Sequence, residues 1–386
     1  MSWEKVRLGE LYTVHNGLSK GRKFFGTGTP FLTFSTVFNQ YFIPDELSDF
    51  VQATEKEQES YSILRGDVFV TRTSETSHEL GMSCVALKNY PQATYNGFTK
   101  RMRPVHSDRV LPEYIGYYMR MPSFRDKFQA FSTMTTRASL RNEDLLSLTV
   151  LLPDLKVQHR IAEILSTYDR LIENNRKQIA LLEEAAQRLY REYFVDLRFP
   201  GYENTKIVDG MPEGWREGTL GDVALFQRGK VITKTQVRKG IVPVVAGGLE
   251  PAYYHNQANT VAPVITVSGS GANAGFARMY HVNVFASDCS FADSKTTPHL
   301  LFVYCFVKAN KPRLDALQKG AAQPHVYPKD INAMKLVIPT EEILTSFCNL
   351  VSPYFEKIRA LQRQITLSTE ARDRLLPKLM SGEITV

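Results

Sequence analysis

The sequence predicts an α+β protein with two mixed α/β domains joined by a long antiparallel coiled-coil helix pair, as a pseudo-two-fold repeat. The first observation is that the segment around Trp3 recurs 212 residues later around Trp215, and the 386-residue chain contains no other tryptophan. The second is that each half of the chain ends in a tail whose apolar residues recur every three or four positions. Such spacing is typical of a helix that buries one face against another helix.

The two halves match at two different offsets along the chain. Trp3, Leu8, Gly9 and Gly17 correspond to Trp215, Leu220, Gly221 and Gly229. At an offset of 186, the residues after Pro153 match those after Pro339, with the pairs Tyr168/Tyr354, Ile172/Ile358 and Leu189/Leu375. Because the second offset is smaller, the second copy has a shorter middle. The sequence therefore predicts domains at residues 1–152 and 200–338, and helical spacers at residues 153–199 and 339–386.

The apolar seams of the two tails follow a heptad pattern that predicts one long helix in each tail. The first seam comprises Ile161, Leu165, Tyr168, Ile172, Asn175, Ile179, Leu182, Ala186, Leu189 and Tyr193, and the second comprises Phe347, Val351, Tyr354, Ile358, Leu361, Ile365, Leu375 and Leu379. A helix of about 40 residues extends about 60 Å, which is long for a helix within one globular domain. Two matched helices can bury each other's seams; packing of each helix on its own domain is the alternative.

Local signals predict where the second helix deviates and where both helices begin and end. Asp154 and Thr340 are candidate N-caps, and Ser381 with Gly382 is a candidate stop. Pro353 should kink or restart the second helix, because proline lacks the amide hydrogen that a helix interior uses. Ser368 and Arg372 interrupt the apolar seam of that helix.

Composition excludes several protein classes. The longest purely apolar run is the eight residues Leu300 to Val307, and a membrane span needs about 20. The N-terminus lacks the apolar core of a signal peptide, so we expect a cytoplasmic protein without a membrane partner. The four cysteines lie far apart without a C-x-x-C pair, which favours buried free thiols over disulfides or zinc.

The net charge of +7 is carried by the two predicted domains. Residues 1–150 contain 18 Lys and Arg against 16 Asp and Glu, and residues 200–338 contain 15 against 10. The two tails are neutral, with 8 against 8 in residues 151–199 and 6 against 6 in residues 339–386. The charge is too small for a general DNA coat, and its location favours two separate nucleic-acid contacts.

No catalytic motif is complete in this sequence. The glycine-rich run Gly269 to Gly275 is followed by Phe276, so it lacks the lysine of a phosphate-binding loop. The chain also has no N-P-P-[YF] run of the kind found in amino-methyltransferases. A nuclease site at Asp288, Asp293 and Lys295 is an alternative, although a single D-x-K pattern is common. The sequence therefore predicts a non-catalytic chain with no metal or cofactor of its own.

Several loops combine base-reading side chains with cations that neutralise phosphate, although an isolated loop of this kind is as typical of a solvated turn. In the first domain these candidate DNA-binding residues are Lys20, Arg22, Lys23, Thr71, Arg72, Thr73, Ser74, His78, Asn96, Lys100, Arg101 and Arg137. In the second they are Arg228, Lys230, Lys234, Tyr253, Tyr254, Ser268, Ser270, Asn273, Gln323 and His325. Their distribution over loops favours sequence-specific readout.

Five stretches together resemble the specificity (S) subunits of type I restriction-modification systems. They are W-x-x-x-x-L-G at Trp3 and again at Trp215, Leu152 to Leu165, Gly320 to Ile331, and Arg374 to Ile384. The resemblance implies that residues 1–152 and 200–338 are target-recognition domains, each reading one half of a bipartite site in double-stranded DNA. It implies that the two helices act as spacers and dock methyltransferase (M) subunits, two of them in the expected complex.

The same resemblance implies which chemistry belongs to partners. A nuclease/translocase (R) subunit would join the complex, and S-adenosylmethionine, ATP and Mg²⁺ would be bound by the M and R subunits, with none bound by this chain. The alternative is a coiled-coil adaptor without DNA readout, which would show no salt-dependent binding to any duplex.

Overall fold

The computed structural model describes residues 3–74, 80–129, 138–320 and 324–386. The chain forms two compact units, Met1–Glu173 with Ile365–Val386, and Asn174–Gln364. Each of the two long helices contributes one part to each unit. The segment boundaries at residues 152, 199 and 338 remain predictions.

The first half of the chain alternates strands and short helices before its long helix. In chain order the elements are β1 (Glu4–Arg7), α1 (Leu8–Leu11), β2 (Tyr12–Asn16), β3 (Phe25–Leu32), α2 (Phe34–Asn39), β4 (Phe50–Val51), α3 (Glu55–Ser60), β5 (Val68–Thr71), β6 (Thr73–Ser74), β7 (Ser83–Val85), β8 (Thr94–Tyr95), β9 (Thr99–Pro104), α4 (Pro112–Arg120), α5 (Pro122–Gln129), β10 (Ala138–Ser139), α6 (Asn142–Ser147), β11 (Thr149–Leu152) and α7 (Leu155–Phe194). An antiparallel sheet has the order β2-β9-β5-β7, and a second sheet has the order β4-β3-β8 with β3 and β8 parallel.

The second half repeats this plan. Its elements are β12 (Ile207–Val208), β13 (Met211–Pro212), β14 (Arg216–Thr219), α8 (Leu220–Val223), β15 (Gln227–Arg228), β16 (Val242–Val245), β17 (Tyr253–His255), β18 (Val264–Ser268), β19 (Ala277–Tyr280), β20 (Phe285–Ala286), β21 (Cys289–Asp293), α9 (Leu300–Ala309), α10 (Lys311–Ala316), α11 (Pro328–Asn332), β22 (Lys335–Ile338) and α12 (Glu341–Met380). The sheets β15-β21-β18-β19 and β17-β16-β20 reproduce the strand order of the first half, including the parallel pair.

The central strand of each four-stranded sheet explains why both halves form a core. In β5, Val68 and Val70 belong to one buried cluster and Phe69 to another. Successive side chains of a strand point to opposite faces, so β5 is buried on both sides. In β18, Ile265 and Val267 face the main core of the second unit and Val264 faces a smaller cluster.

The residues that revealed the repeat perform equivalent tasks in both units. The amide of Leu8 donates to the carbonyl of Leu148 at 2.8 Å, and the amide of Leu220 donates to that of Met334 at 2.8 Å. A Cβ at Gly17 would lie 2.0 Å from the Asn96 carbonyl oxygen. At Gly17, which follows β2, the chain therefore passes so close to the turn before β9 that only glycine fits.

In the first unit, the start of α7 packs against the end of α12. Both helices contribute buried apolar residues to the main cluster, namely Val157, Ile161, Leu165, Leu376, Leu379 and Met380. Arg372 of α12 forms a 2.5 Å ion pair with Asp169 of α7, and both groups are mostly buried. The Tyr117 hydroxyl donates to the same carboxylate at 2.5 Å, and the Arg372 guanidinium lies 5.3 Å from the centre of the Tyr41 ring.

In the second unit, the end of α7 packs against the start of α12. The shared cluster includes Ala186, Tyr190, Tyr193, Leu344, Phe347, Val351, Phe355 and Ile358. Asn175, a buried polar seam residue, donates to the Gln364 side chain at 3.1 Å. Because the start of each helix packs with the end of the other, the pair is antiparallel, and the predicted fold class is confirmed.

Most of the predicted seam is buried, and the remaining seam residues are half-buried. Ile161, Leu165, Ile172, Phe347, Val351, Ile358 and Leu361 are buried, whereas Tyr168, Ile179, Leu182, Leu189, Tyr354, Ile365 and Leu375 are half-buried. On α12 the buried aromatic ring is Phe355, next to the predicted Tyr354. Ser368 is buried as well, so the polar interruption of the seam lies inside the packing.

The predicted restart of the second helix at Pro353 is wrong. α12 continues from Glu341 to Met380 through the exposed Pro353. Proline removes a single amide donor there, while buried Val351 and Phe355 on either side anchor the helix to the core. The predicted cap at Asp154 is confirmed, because its Oδ1 accepts the Val157 amide at 2.9 Å. The predicted stop of the second helix is also confirmed, because α12 ends before Gly382, whose φ of +76° cannot continue a helix.

No helix in the described ranges is long and apolar enough to cross a membrane. All four cysteines are free thiols, and Cys84, Cys289 and Cys305 are buried. Across the same ranges, no three His, Cys, Asp or Glu side chains come together as a metal site.

Removal of Arg372 should destabilise the first unit. Arg372→Ala leaves the Asp169 carboxylate mostly buried without its cation, and we expect a loss of about 2–4 kcal/mol in the free energy of unfolding. Urea denaturation measures it. Arg374→Ala, which removes an exposed partner of Glu370, is the matched control and should cost less than about 0.5 kcal/mol. Equal costs for both variants would show that the Asp169–Arg372 pair has no special role.

Candidate nucleic-acid interface

In the first unit, a polar cavity lies where β5 ends and the chain enters the following loop. The Arg72 amide donates to the Phe98 carbonyl at 3.0 Å, and the Leu140 amide donates to the Arg72 carbonyl at 2.8 Å. These main-chain bonds join three loops that are distant in sequence. The cavity of about 520 Å³ is lined by Asn16, Arg72, Lys100, Leu140, Arg141, Asn142 and Glu143.

Of the described residues that line the cavity, Arg72, Lys100 and Arg141 are cationic and Glu143 is the one carboxylate. The Nε atom of Arg72 is buried and has no hydrogen-bond partner among the described residues. Lys100 is buried beside it and donates to the Asn142 side chain. Burial, and then the positive charge of Arg72, lower the pKa of the Lys100 ammonium. Two neighbouring cations with one unsatisfied donor favour an acceptor such as a phosphate or a purine edge.

The second unit builds an equivalent site with different side chains. The Gly269 amide donates to the Asp288 carbonyl at 3.1 Å, and the Val326 amide donates to the Gly269 carbonyl at 3.1 Å. Gly269 thus occupies the position of Arg72, and Asp288 that of Phe98. The Gly229 amide bonds to β21 in the same way as the Gly17 amide bonds to β9. Arg228, the residue before Gly229, therefore occupies the position of Asn16.

Hydroxyl groups and one ion pair surround this second site. Arg228 donates from Nη2 to Asp288 Oδ1 at 2.8 Å, and Ser270 donates to the other carboxylate oxygen. Ser268 is buried and donates to the Gly247 carbonyl at 3.1 Å. The backbone plan is the same as in the first unit, but the chemistry offered to a ligand is different.

Three of the predicted DNA-binding residues in the first unit have structural partners. The Lys20 ammonium binds Glu57 at 2.7 Å and lowers the pKa of that carboxyl group. Arg101 is buried and donates to the Ser62 carbonyl at 2.7 Å. The Thr71 hydroxyl accepts the amide of Met82 at 2.9 Å.

The other predicted residues of the first unit lie in loops or in a short ladder. Arg22 and Lys23 are exposed in a single helical turn. Asn96 closes the turn before β9 by accepting the Phe98 amide at 2.7 Å. Thr73 and Ser74 form β6, which pairs with β10.

The predicted residues of the second unit are mostly accessible. Arg228, Lys230, Lys234 and Tyr254 are exposed, while Tyr253, Ser270, Asn273 and His325 are half-buried. His325 stacks on Tyr327, with 6.0 Å between ring centres, and its backbone forms a bridge to Ser270. His78, Arg137 and Gln323 were also predicted and lie outside the described residues.

The carboxylates proposed for a nuclease site are already occupied by local bonds. Asp293 accepts the Val261 amide at 2.9 Å and the Lys295 amide at 3.1 Å. Asp288 holds Arg228 and Ser270. The bonds of Asp293 shape the turn after β21, and those of Asp288 join β15 to the loop after β18.

Residue patterns missed several members of these sites. Asn16, Arg141 and Asn142 line the first cavity, and Phe98 is 55% exposed beside it. The sequence pattern indicates Asp288 only as part of the alternative nuclease site. A residue-by-residue transfer between repeats could have found Asn16, since the offset of 212 maps it onto Arg228.

Comparison with known proteins gives a consistent result. The family model "Type I restriction modification DNA specificity domain" matches residues 1–184 and 212–366. The chain belongs to this family. The two matched ranges correspond to the two repeated halves.

Individual members of the family resemble the whole chain. The type I restriction enzyme MjaIX specificity subunit of Methanocaldococcus jannaschii is 25% identical, covering 100% of this chain and 94% of that protein. The HindI specificity subunit of Haemophilus influenzae is 21% identical over 71% of this chain and 78% of its own length. A crystal structure of the type I S subunit from M. genitalium has a TM-score of 0.57 at 17% identity, covering 98% and 96% of the two chains, and therefore has the same fold.

Arg101 should act on stability. Arg101→Ala removes donors to the Ser60 and Ser62 carbonyls and packing against the Tyr95 ring, so we expect a loss of about 1–3 kcal/mol in the free energy of unfolding. The exposed Lys23→Ala should change it by less than about 0.5 kcal/mol. Thermal or urea unfolding of both variants measures the difference. An Arg101→Ala variant as stable as wild type would contradict the structural role.

Proposed function

We propose that this chain is the non-catalytic, DNA-binding specificity subunit of a type I restriction-modification complex, with each repeated half reading one part of a bipartite site in double-stranded DNA. The observation that carries the proposal is the pair of equivalent sites, one at the end of β5 and one at the end of β18. They share main-chain hydrogen bonds and differ in side chains. Two DNA-binding sites with the same backbone arrangement and different side chains would recognise a DNA target whose two halves differ in sequence.

The side chains of each site suit the readout of base edges. In the first unit, Arg72 has a guanidinium that can bond guanine O6 and N7, while Asn16 and Asn142 can bond adenine. In the second unit, Ser270 and Arg228 offer hydrogen-bond donors, and the Tyr254 side chain is exposed. Specificity would therefore come from a few side chains in each half.

Exposed cations flanking the sites would supply affinity without sequence preference. Arg22 and Lys23 in the first unit, and Lys230 and Lys234 in the second, are exposed. Phosphate contacts of this kind release counterions, so the affinity should fall steeply with salt. The neutral helices α7 and α12 would contribute little to this term.

The long helices would serve as the spacer between the two readers and as the docking face for M subunits. We infer two M subunits and an R subunit as partners from membership of the family. S-adenosylmethionine, ATP and Mg²⁺ would be bound by those subunits, and methyl transfer and cleavage would occur there. The bonds that occupy Asp288 and Asp293 support the assignment of a non-catalytic role to this chain.

Arg72→Ala should relax base preference in one half-site. We expect a loss of about 1–3 kcal/mol in discrimination at one base pair, because one good bidentate contact contributes that much. Asn273→Ala makes the corresponding test in the other half-site. Binding selections on duplexes randomised in one half-site at a time measure both effects.

Lys23→Ala is the control for a phosphate contact. It should weaken binding to all sequences by a similar factor and reduce the salt dependence. If Arg72→Ala behaved in the same uniform way, Arg72 would be a phosphate-binding residue and its readout role would be refuted.

Shortening both helices should change the gap between half-sites. Deletion of one heptad from each of α7 and α12 keeps the apolar seam in phase and removes about 10 Å of helix. We expect a gap shorter by about three base pairs, with both half-sites unchanged. Mapping of methylated adenines in cells carrying the variant reads the new site. An unaltered gap would refute the spacer role.

A further inference from the structure

We propose that Asp288 is a positioning residue for Arg228, and that Arg228, Asp288 and Ser270 together determine a G·C base pair in the half-site read by the second unit. The inference rests on the proposed function, because it assumes that this unit contacts DNA bases. It assigns a role to a carboxylate that would otherwise repel the phosphates of a DNA ligand.

Asp288 is held at three points. Its Oδ1 accepts Arg228 Nη2 at 2.8 Å, its Oδ2 accepts the Ser270 hydroxyl, and its main-chain oxygen accepts the Gly269 amide at 3.1 Å. Both carboxylate oxygens are therefore used, one by Arg228 of β15 and one by Ser270 in the loop after β18. A carboxylate anchored in this way restricts the guanidinium more than a mobile surface acid does.

Arg228 is restricted by its backbone as well. It ends β15, where it is paired with Ser290 of β21, and the amide of the next residue, Gly229, donates to the Cys289 carbonyl of β21 at 2.8 Å. A Cβ on the next residue, Gly229, would lie 2.3 Å from the Ser287 carbonyl oxygen. The two segments of the chain therefore approach as closely as glycine allows. The Arg228 side chain thus starts from a fixed point close to the segment before β21 that carries Asp288.

One edge of the guanidinium remains open. Among the described residues, Arg228 has a partner only at Nη2, and its side chain is 41% exposed. The remaining N–H groups can form the two parallel bonds that guanine O6 and N7 accept. The side chain is therefore partly accessible to a base edge.

An exposed ion pair of this kind does little for stability, typically less than about 1 kcal/mol. It does change how the arginine responds to DNA. Because Arg228 and Asp288 together carry no net charge, the pair gains little from the phosphate backbone of an arbitrary sequence. Its contribution is confined to a ligand that offers two aligned acceptors.

The equivalent positions of the first unit support this interpretation. Asn16 and Phe98 occupy the places of Arg228 and Asp288, and Arg72 occupies that of Gly269. Each unit thus places one arginine at this junction, Arg228 at the end of β15 and Arg72 directly after β5. Within the described ranges, Arg228 is paired with a carboxylate and Arg72 is not.

The test is the binding preference of the full chain on duplexes randomised at one half-site at a time. Asp288→Asn keeps the size of the side chain and its bond to Ser270 but removes the charge that anchors Arg228. We expect the preference for guanine at one position to fall by about 5- to 100-fold, with the other half-site unchanged. Arg228→Lys, which retains charge without the fork, should lose the same preference.

A charge-matched control separates positioning from general electrostatics. Asp209→Asn removes an exposed carboxylate of the same unit at a residue whose φ of +51° suits asparagine. It should leave the base preference unchanged. If Asp288→Asn instead raised the affinity for all sequences by the same factor as Asp209→Asn, or left the preference at wild-type values, the positioning role would be refuted.

The same experiment distinguishes failure of the inference from failure of the proposed function. If wild type bound no duplex in a salt-dependent way, both would be wrong. If wild type selected both half-sites and Asp288→Asn selected them equally well, only the inference would be wrong. Cooperative thermal unfolding of each variant confirms that the compared proteins are folded.

Discussion

Four parts of the first unit that are far apart in sequence meet at the ion pair between Asp169 and Arg372. The pair joins α7 to α12, while Tyr117 brings α4 and Tyr41 brings the loop after α2 to the same charges. Taking two charges out of water is costly, so the pair is stable only because further groups satisfy it. The domain and the helix pair are thereby linked, since loss of either charge leaves the other buried without a partner.

The second unit solves the same packing problem without charge. The offset of 186 maps Asp169 onto Phe355 and Arg372 onto Ala186, and both of these are buried in the main cluster of the second unit. At equivalent positions of the two units, the first therefore has the charged pair Asp169 and Arg372, and the second has a large and a small apolar residue. Since each charge lies on a different helix, only the pairing of α7 with α12 brings opposite charges together. Buried polar groups of this kind can specify register and partner in helix pairs.

Periodicity and internal repetition made the architecture predictable, because both are properties of local sequence. The heptad seams, the Asp154 cap and the equivalent glycines could all be derived from spacing. The partners of polar side chains could not be, since they come from distant segments. Lys20 is paired with Glu57, 37 residues away, and Arg228 with Asp288, 60 residues away. A cation in a predicted loop therefore indicates a candidate DNA contact, but the sequence does not show whether that cation is already paired with a carboxylate in the fold.

The way in which each proposed reading site is attached to the fold would allow two halves of one chain to differ in specificity. Arg72 and Gly269 make the same two main-chain hydrogen bonds, as do Phe98 and Asp288 as acceptors. Because these bonds use backbone atoms, they form with any side chain that the local φ and ψ angles permit. The close approach of the strands depends instead on Gly17 and Gly229, which both halves share. Side chains at the junction can therefore differ between the two halves while the backbone that presents them stays the same, as the proposed reading of two unlike half-sites requires.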